Sequence, residues 1–292
     1  MPKDRAPEPP VGAPGGAPGI PVGDDEKRYR THRRFDRAAR LFGEPGLHRL
    51  MDARVIIFGA GGVGSFTAEA LARSGLGHLT LVDFDQVCVT NTNRQLHALR
   101  GNIGKNKVDV MAERLRLVHP TSTIEAVPQF YNAENSDALL SGPIDFVVDA
   151  IDNMTAKAHL IATCVERGIP LVSSMGAAAR LDPTKIRVDD IAHTEIDPFA
   201  RALRKILRKV HGLGKDVGKA LGVPAVYSTE PPLEPLSPTY DEGQGFRCVC
   251  PNGQNNLHTC EKRNRIDGSA AFVTGAFGLA AAGVVVRTLA AR

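Results

Sequence analysis

The residues best suited to chemistry in this 292-residue chain begin at Gly59-Ala60-Gly61-Gly62-Val63-Gly64. Glycines spaced as Gly59, Gly61 and Gly64 let backbone N–H groups and a helix N-terminus approach a phosphate, where side chains would block the way. A carboxylate for ribose hydroxyls belongs at the end of the next strand, and Asp83 stands there. A dinucleotide site is the first reading, and tight packing of helix on strand is the bland one. No Gly-Lys-Ser/Thr follows the glycines, which excludes a Walker loop. The ligand is decided downstream, in Asp83-Phe84-Asp85 through Asn91 to Arg94-Gln95, with Lys105 and Lys107 beyond. Hydride transfer has no use for Arg94 and Lys107 beside the phosphates. Attack at an α-phosphorus does, because negative charge builds there and on the departing pyrophosphate. Asp152, followed by Asn153, is placed for Mg²⁺, which takes one or two carboxylates plus phosphate oxygens. Singly, Arg94 and Lys107 read as solvated charges and Asp152 as a helix cap. Together they favour an adenylating site.

These residues need a scaffold, and the apolar pattern predicts one. Val55-Ile56-Ile57-Phe58, Leu79 to Val82, Phe146 to Ile151 and Leu171 to Ser174 read as buried strands. Helical spacing lies between them, from Gly64 to Arg73, at Val108, Met111, Leu115 and Val118, and up to Gly168. The expected class is α/β, a Rossmann-like, mostly parallel sheet with helices on both faces, extended by antiparallel strands in the C-terminal half. There, Lys185 to Ile191 reads as a strand and the Pro-rich stretch 222–253 as loop or cross-over. Residues 1–23 hold seven Pro and five Gly without apolar periodicity, so 1–33 is expected to be a disordered tail. Residues 34–292 then form a single adenylating domain, with a nucleotide-binding half at 50–175 and a substrate-binding half at 176–292. A composition 42% hydrophobic and 23% charged excludes a fibrous or wholly disordered chain. Five cysteines, an odd number, and no apolar leader point to the cytoplasm.

The motifs G-A-G-G-V-G, L-V-D-F-D-x-V-x-x-x-N-x-x-R-Q, G-K-N-K and D-A-I-D-N resemble those of the ubiquitin-activating-like adenylating enzymes, over about residues 34–292. These include the sulfur-carrier adenylyltransferases. The resemblance implies ATP and Mg²⁺, with Gly61 and Gly62 at the nucleotide within the Gly59–Gly64 loop and Asp83 on the ribose. It assigns Asn91, Arg94 and Lys107 to the phosphates and Asp152 to the metal, with Asp85 and Asn153 alongside. It also implies a homodimer in which Arg37 or Arg40 reaches the partner's site. Asn91 to Arg100, and Leu181 to Ile191 running on to Asp197-Pro198, are similar in wording to the tRNA threonylcarbamoyladenosine dehydratase subgroup. That subgroup's chemistry would be ATP-dependent closure of the threonylcarbamoyl side chain next to the anticodon. The substrate carboxylate attacks the α-phosphate, and a ureido nitrogen then displaces AMP. The sequence leaves open a monovalent cation and a sulfur-relay protein. The rival function is activation of the C-terminal glycine of a ubiquitin-like sulfur carrier. A nicotinamide-binding oxidoreductase is the third.

The chain departs from the family pattern in its cysteines. It lacks the paired CxxC motifs of the carrier adenylyltransferases, and Ala225 stands where the dehydratases can carry Cys, which puts a thiol-dependent step there in doubt. Cys248, Cys250, His258 and Cys260 could hold tetrahedral zinc, although CxC spacing is unusual and reduced loop cysteines are the bland reading. Cys88 and Cys164 read as packing residues. Positive charge is concentrated: residues 199–219 carry seven Lys/Arg and one Asp, a sum of +6 in a chain of +4. Arg201, Arg204, Lys205, Arg208 and Lys209 alternate with the stripe Phe199, Leu203, Ile206, Leu207 and Val210. A tRNA-phosphate contact is favoured over a solvated face or a membrane surface, and no DNA partner is expected. Ala270 to Val286 is 17 uncharged residues, expected to be a buried helix, with a membrane anchor as the alternative.

Overall fold

Val55 to Phe58 alternate sides of one sheet: Val55 and Ile57 enter one apolar core, Ile56 and Phe58 the other. This strand, β1 (Arg54–Phe58), is the axis of the fold. It is followed by β2 (His78–Val82), β3 (Thr123–Val127), β4 (Phe146–Asp149), β5 (Leu171–Ser174), β6 (Ile186–Asp190) and β7 (Pro224–Ser228). The sheet order is β3-β2-β1-β4-β5-β7-β6. Every pairing is parallel except β6 with β7. The chain steps to opposite sides of β1 to make β2 and β4, and such a switch point opens a crevice at the strands' carboxyl ends. The computed structural model describes residues 30–216, 218–236 and 266–291.

Six helices of ten residues or more, among the described residues, cover the two faces: α1 (Asp36–Asp52), α2 (Gly64–Arg73), α3 (Lys107–Val118), α4 (Met154–Arg167), α5 (Pro198–Val210) and α6 (Ala271–Ala290). α2, α3 and α6 bury Ala68, Leu71, Met111, Leu115, Val273 and Phe277 on the Ile57 face, and α1 adds Leu50. α4 and α5 bury Leu160, Ile161, Leu203 and Leu207 on the Phe58 face. α6 is therefore a core helix, as its small residues suggest. A Cβ on Gly278 would stand 2.4 Å from the Val63 carbonyl, so glycine is what lets α6 meet the start of α2.

The structure corrects three expectations. β3 is absent from the sequence pattern because it is an edge strand, with Thr123 and Glu125 exposed and only Ile124 buried. β7 falls within the stretch read as loop. Its Pro224 sits at the first strand position, where a missing N–H is tolerated, and Ala225 to Ser228 are buried between β5 and β6. Residues 30–33, expected in the tail, are helical and join the fold. Phe35 anchors that entry, its ring 4.6 Å edge-on from His119.

Candidate nucleotide site

The loop leaving β1 divides its glycines by task. Gly59 takes φ +95° and its N–H donates to the Val82 carbonyl at 2.8 Å. A Cβ on Gly59 would meet Ala150 O at 2.5 Å, and one on Gly64 would meet Gly59 O at 1.8 Å, so both serve close packing. Gly61 differs, because a Cβ there meets only Gln95 Nε2, at 3.9 Å. The loop's open face is at Gly61, and α2 begins behind it with no side-chain cap at Val63. A helix start without a side-chain cap, behind a glycine with open space beside it, suits a phosphate.

The acidic and basic residues downstream are held in place. Asp83 Oδ2 accepts from Ala60 N at 2.7 Å and Oδ1 from Asp85 N at 2.8 Å, which ties the end of β2 to the glycine loop. Desolvation pushes its carboxyl up, against the downward pull of the Lys107 ammonium and the two amides. A carboxylate has further lone pairs, so those bonds leave capacity for ribose hydroxyls. Lys107 is buried and donates to Asp85 Oδ2 at 2.7 Å. Asn91 is buried, its Oδ1 accepts from Cys88 N at 3.0 Å, and its Nδ2 remains a donor. Arg94 is positioned by its own loop, donating to Thr90 O at 2.9 Å and Asn93 Oδ1 at 3.0 Å.

At the end of β4 the two neighbours take separate tasks. Asn153, not Asp152, caps α4, its Oδ1 accepting from Thr155 N and Ala156 N. Asp152 is exposed and makes no hydrogen bond or ion pair among the described residues, which leaves its carboxylate available to a metal. Beneath it lies a pair that sequence reasoning missed. Lys157 and Asp149 are both fully buried, with Nζ 2.7 Å from Oδ2. Ser173 Oγ donates to the same oxygen at 2.6 Å, and the ammonium stands 5.9 Å from the Phe199 ring centroid. Burial pulls the Lys157 ammonium's pKa down, while Asp149 and Asp152 pull it up. A strand-end acid followed eight positions later by a lysine on an otherwise apolar helix face is the signal that could have found it.

Away from the crevice, helix α5 starts at Asp197, whose Oδ1 accepts from Phe199 N and Ala200 N. Arg201, Lys205, Arg208 and Lys209 are exposed on it, Arg208 Nε donating to Gly214 O at 3.0 Å. Arg204 is not a surface charge of that kind: its guanidinium folds back onto Thr194, bonding both the carbonyl and the hydroxyl, and onto Ile191 O. It is removed from the proposed RNA contacts. Of Arg37 and Arg40, both are exposed, and Arg40 donates to Asp36 at 3.0 Å. Cys164 is buried, and its thiol is pushed up to about 12 by desolvation, as befits a packing residue. Cys248, Cys250, His258 and Cys260 lie outside the described residues.

A glycine loop between β1 and α2, a strand-end carboxylate and cations beside the switch point define a nucleotide-binding α/β protein of the Rossmann-like class. More particularly, the chain belongs to the ThiF family, whose profile matches residues 35–292. It is 42% identical to the tRNA threonylcarbamoyladenosine dehydratase of Escherichia coli strain K12 over 265 residues, 89% of this chain and 94% of that protein. The protein of the same name from Bacillus subtilis strain 168 is 44% identical over 199 residues, covering 68% of this chain and 76% of its own length. The crystal structure of the Escherichia coli dehydratase in complex with ATP superposes with a TM-score of 0.77 at 39% identity, covering 93% of this chain and 98% of that one.

Proposed function

We propose that this chain uses ATP and Mg²⁺ to dehydrate threonylcarbamoyladenosine in tRNA, closing the side chain next to the anticodon into a ring. The observation that carries the reading is the extent of the match to the Escherichia coli dehydratase, 94% of that protein, which takes in both the nucleotide crevice and helix α5. ATP, when bound, supplies the electrophilic α-phosphorus that activates the substrate carboxylate. Asp83 accepts the ribose hydroxyls, and the open face at Gly61 admits the phosphates, with Gly62 beside it packed on Thr274. Asn91, Arg94 and Lys107 offset the charge of the departing pyrophosphate, and Asp152 would hold Mg²⁺. Asp85 and the buried Lys157–Asp149 pair fix these groups before substrate arrives, so little reorganisation is needed during reaction. Arg201, Lys205, Arg208 and Lys209 receive tRNA phosphates. The working unit is a cytoplasmic homodimer, in which Arg37 or Arg40 reaches toward the partner's site.

The test is incubation of the purified protein with ATP, Mg²⁺ and tRNA bearing the threonylcarbamoyl group, read by nucleoside mass spectrometry under ring-preserving conditions. Loss of one water with stoichiometric AMP is expected. AMP release dependent on a ubiquitin-like carrier, with unchanged tRNA, would replace this reading with carrier activation.

A further inference from the structure

One side chain borders the open face of the glycine loop. Gln95 Nε2 is the atom nearest to where a Cβ on Gly61 would stand, at 3.9 Å, and no other atom beyond the chain neighbours comes within 4 Å. Gln95 is buried and its backbone is fixed. Its N–H donates to Asn91 O at 2.9 Å, and the next amide, of Leu96, donates to Ser65 Oγ in the first turn of α2 at 3.4 Å. The carboxamide has two unlike ends, an oxygen that only accepts and a nitrogen with two donors. Turned half a revolution, it would set an oxygen against any phosphate over Gly61.

His97 decides which end faces the loop. Its ring is fully buried, with Nε2 3.1 Å from Gln95 Oε1. Burial and the Lys107 ammonium hold the imidazole pKa down to about 4, so the ring is neutral at physiological pH and carries one proton. Nε2 faces an acceptor, so the proton sits on Nε2, and Nδ1 has no hydrogen-bond partner among the described residues. The residue itself is held through its carbonyl, which accepts from Leu99 N at 2.9 Å and Asn102 Nδ2 at 3.1 Å.

We propose that Gln95 contacts the nucleotide, donating from Nε2 to a phosphate oxygen above Gly61, and that His97 is the positioning residue that keeps the carboxamide in the donating orientation. This rests on the ATP reading of the site. Arg94 and Lys107 supply charge there, and Gln95 adds direction.

The experiment titrates ATP into the full-length protein by calorimetry, with thermal unfolding recorded for every variant. Gln95→Glu, which puts a carboxylate over the loop, is expected to raise the ATP Kd by about tenfold to a hundredfold. Should that variant fail to fold, Gln95→Met removes the donors at similar length and is expected to raise Kd about tenfold. His97→Met fills the ring's volume without a donor and is expected to weaken ATP by several-fold. His97→Gln restores a donor and is expected to recover most of that loss. A ring that only fills space would reverse the last two results and overturn the role given to His97. An unchanged Kd in a folded Gln95 variant, with the parent binding ATP, overturns the Gln95 assignment and leaves the ATP site standing. A parent that binds no ATP overturns both.

Discussion

The crevice at the ends of β1, β2 and β4 and the outer face of α5 handle charge in opposite ways. In the crevice almost every ionised group is already bound: Asp83 to two amides, Asp85 to Lys107, Asp149 to Lys157 and Ser173. On α5, Arg201, Lys205, Arg208 and Lys209 stand exposed, and the single cation with several protein partners, Arg204, has turned inward. Stabilising a transition state needs groups whose positions cost nothing at the moment of reaction. Holding a flexible polyanion needs number and proximity, with little demand on geometry. One molecule therefore shows both designs, separated by the packing of α4 against α5.

The largest expected effect tests the bound side of this contrast. Lys157→Met leaves Asp149 buried without its partner and is expected to cost about 3–5 kcal/mol in urea unfolding. Lys205→Met, on the exposed side, should stay within about 0.5 kcal/mol. Equal midpoints for the two would break the comparison. Next come Arg94→Ala and Asp152→Ala, expected to slow AMP formation at least a hundredfold, ~3–4 kcal/mol in the barrier, while unfolding midpoints hold. Near-normal turnover in both would place the phosphates elsewhere. The smallest effect per residue belongs to α5. Neutralising Arg201, Lys205, Arg208 and Lys209 together should weaken tRNA binding and flatten its salt slope, by roughly one unit for each phosphate left without its cation. Arg204→Gln alone should leave the slope as it was and cost stability instead, because it strips the bonds to Thr194. A slope that changes for Arg204→Gln would return that residue to the RNA surface.

Much of the scaffold is legible in the sequence because β1 and β4 are buried on both faces over Val55 to Phe58 and Phe146 to Val148, and so read as apolar runs. β3 is not, since an edge strand with one buried residue in five has little pattern to show. β7 is obscured by Pro224 and the Pro-rich stretch after it, because a proline's meaning depends on whether it starts a strand or interrupts one. The glycine loop is legible as a whole. Its division into packing glycines and an open one at Gly61 needs the positions of Ala150 and Thr274, which come from distant segments. Arg204 illustrates the same limit: its spacing matches the other four cations, and only the return of residues 191–194 beneath it separates them.

The place of α6 in the core has a consequence for the order of assembly. β1 to β5 are complete once residue 174 has been made, yet the Ile57 face waits for Val273, Phe277, Ala281 and Val285, nearly a hundred residues later. On the ribosome, the nascent nucleotide half therefore exposes an unfinished apolar face until α6 emerges. Closing that face is a long-range event, slow compared with local helix formation, and during the wait the chain is a natural client for holding chaperones.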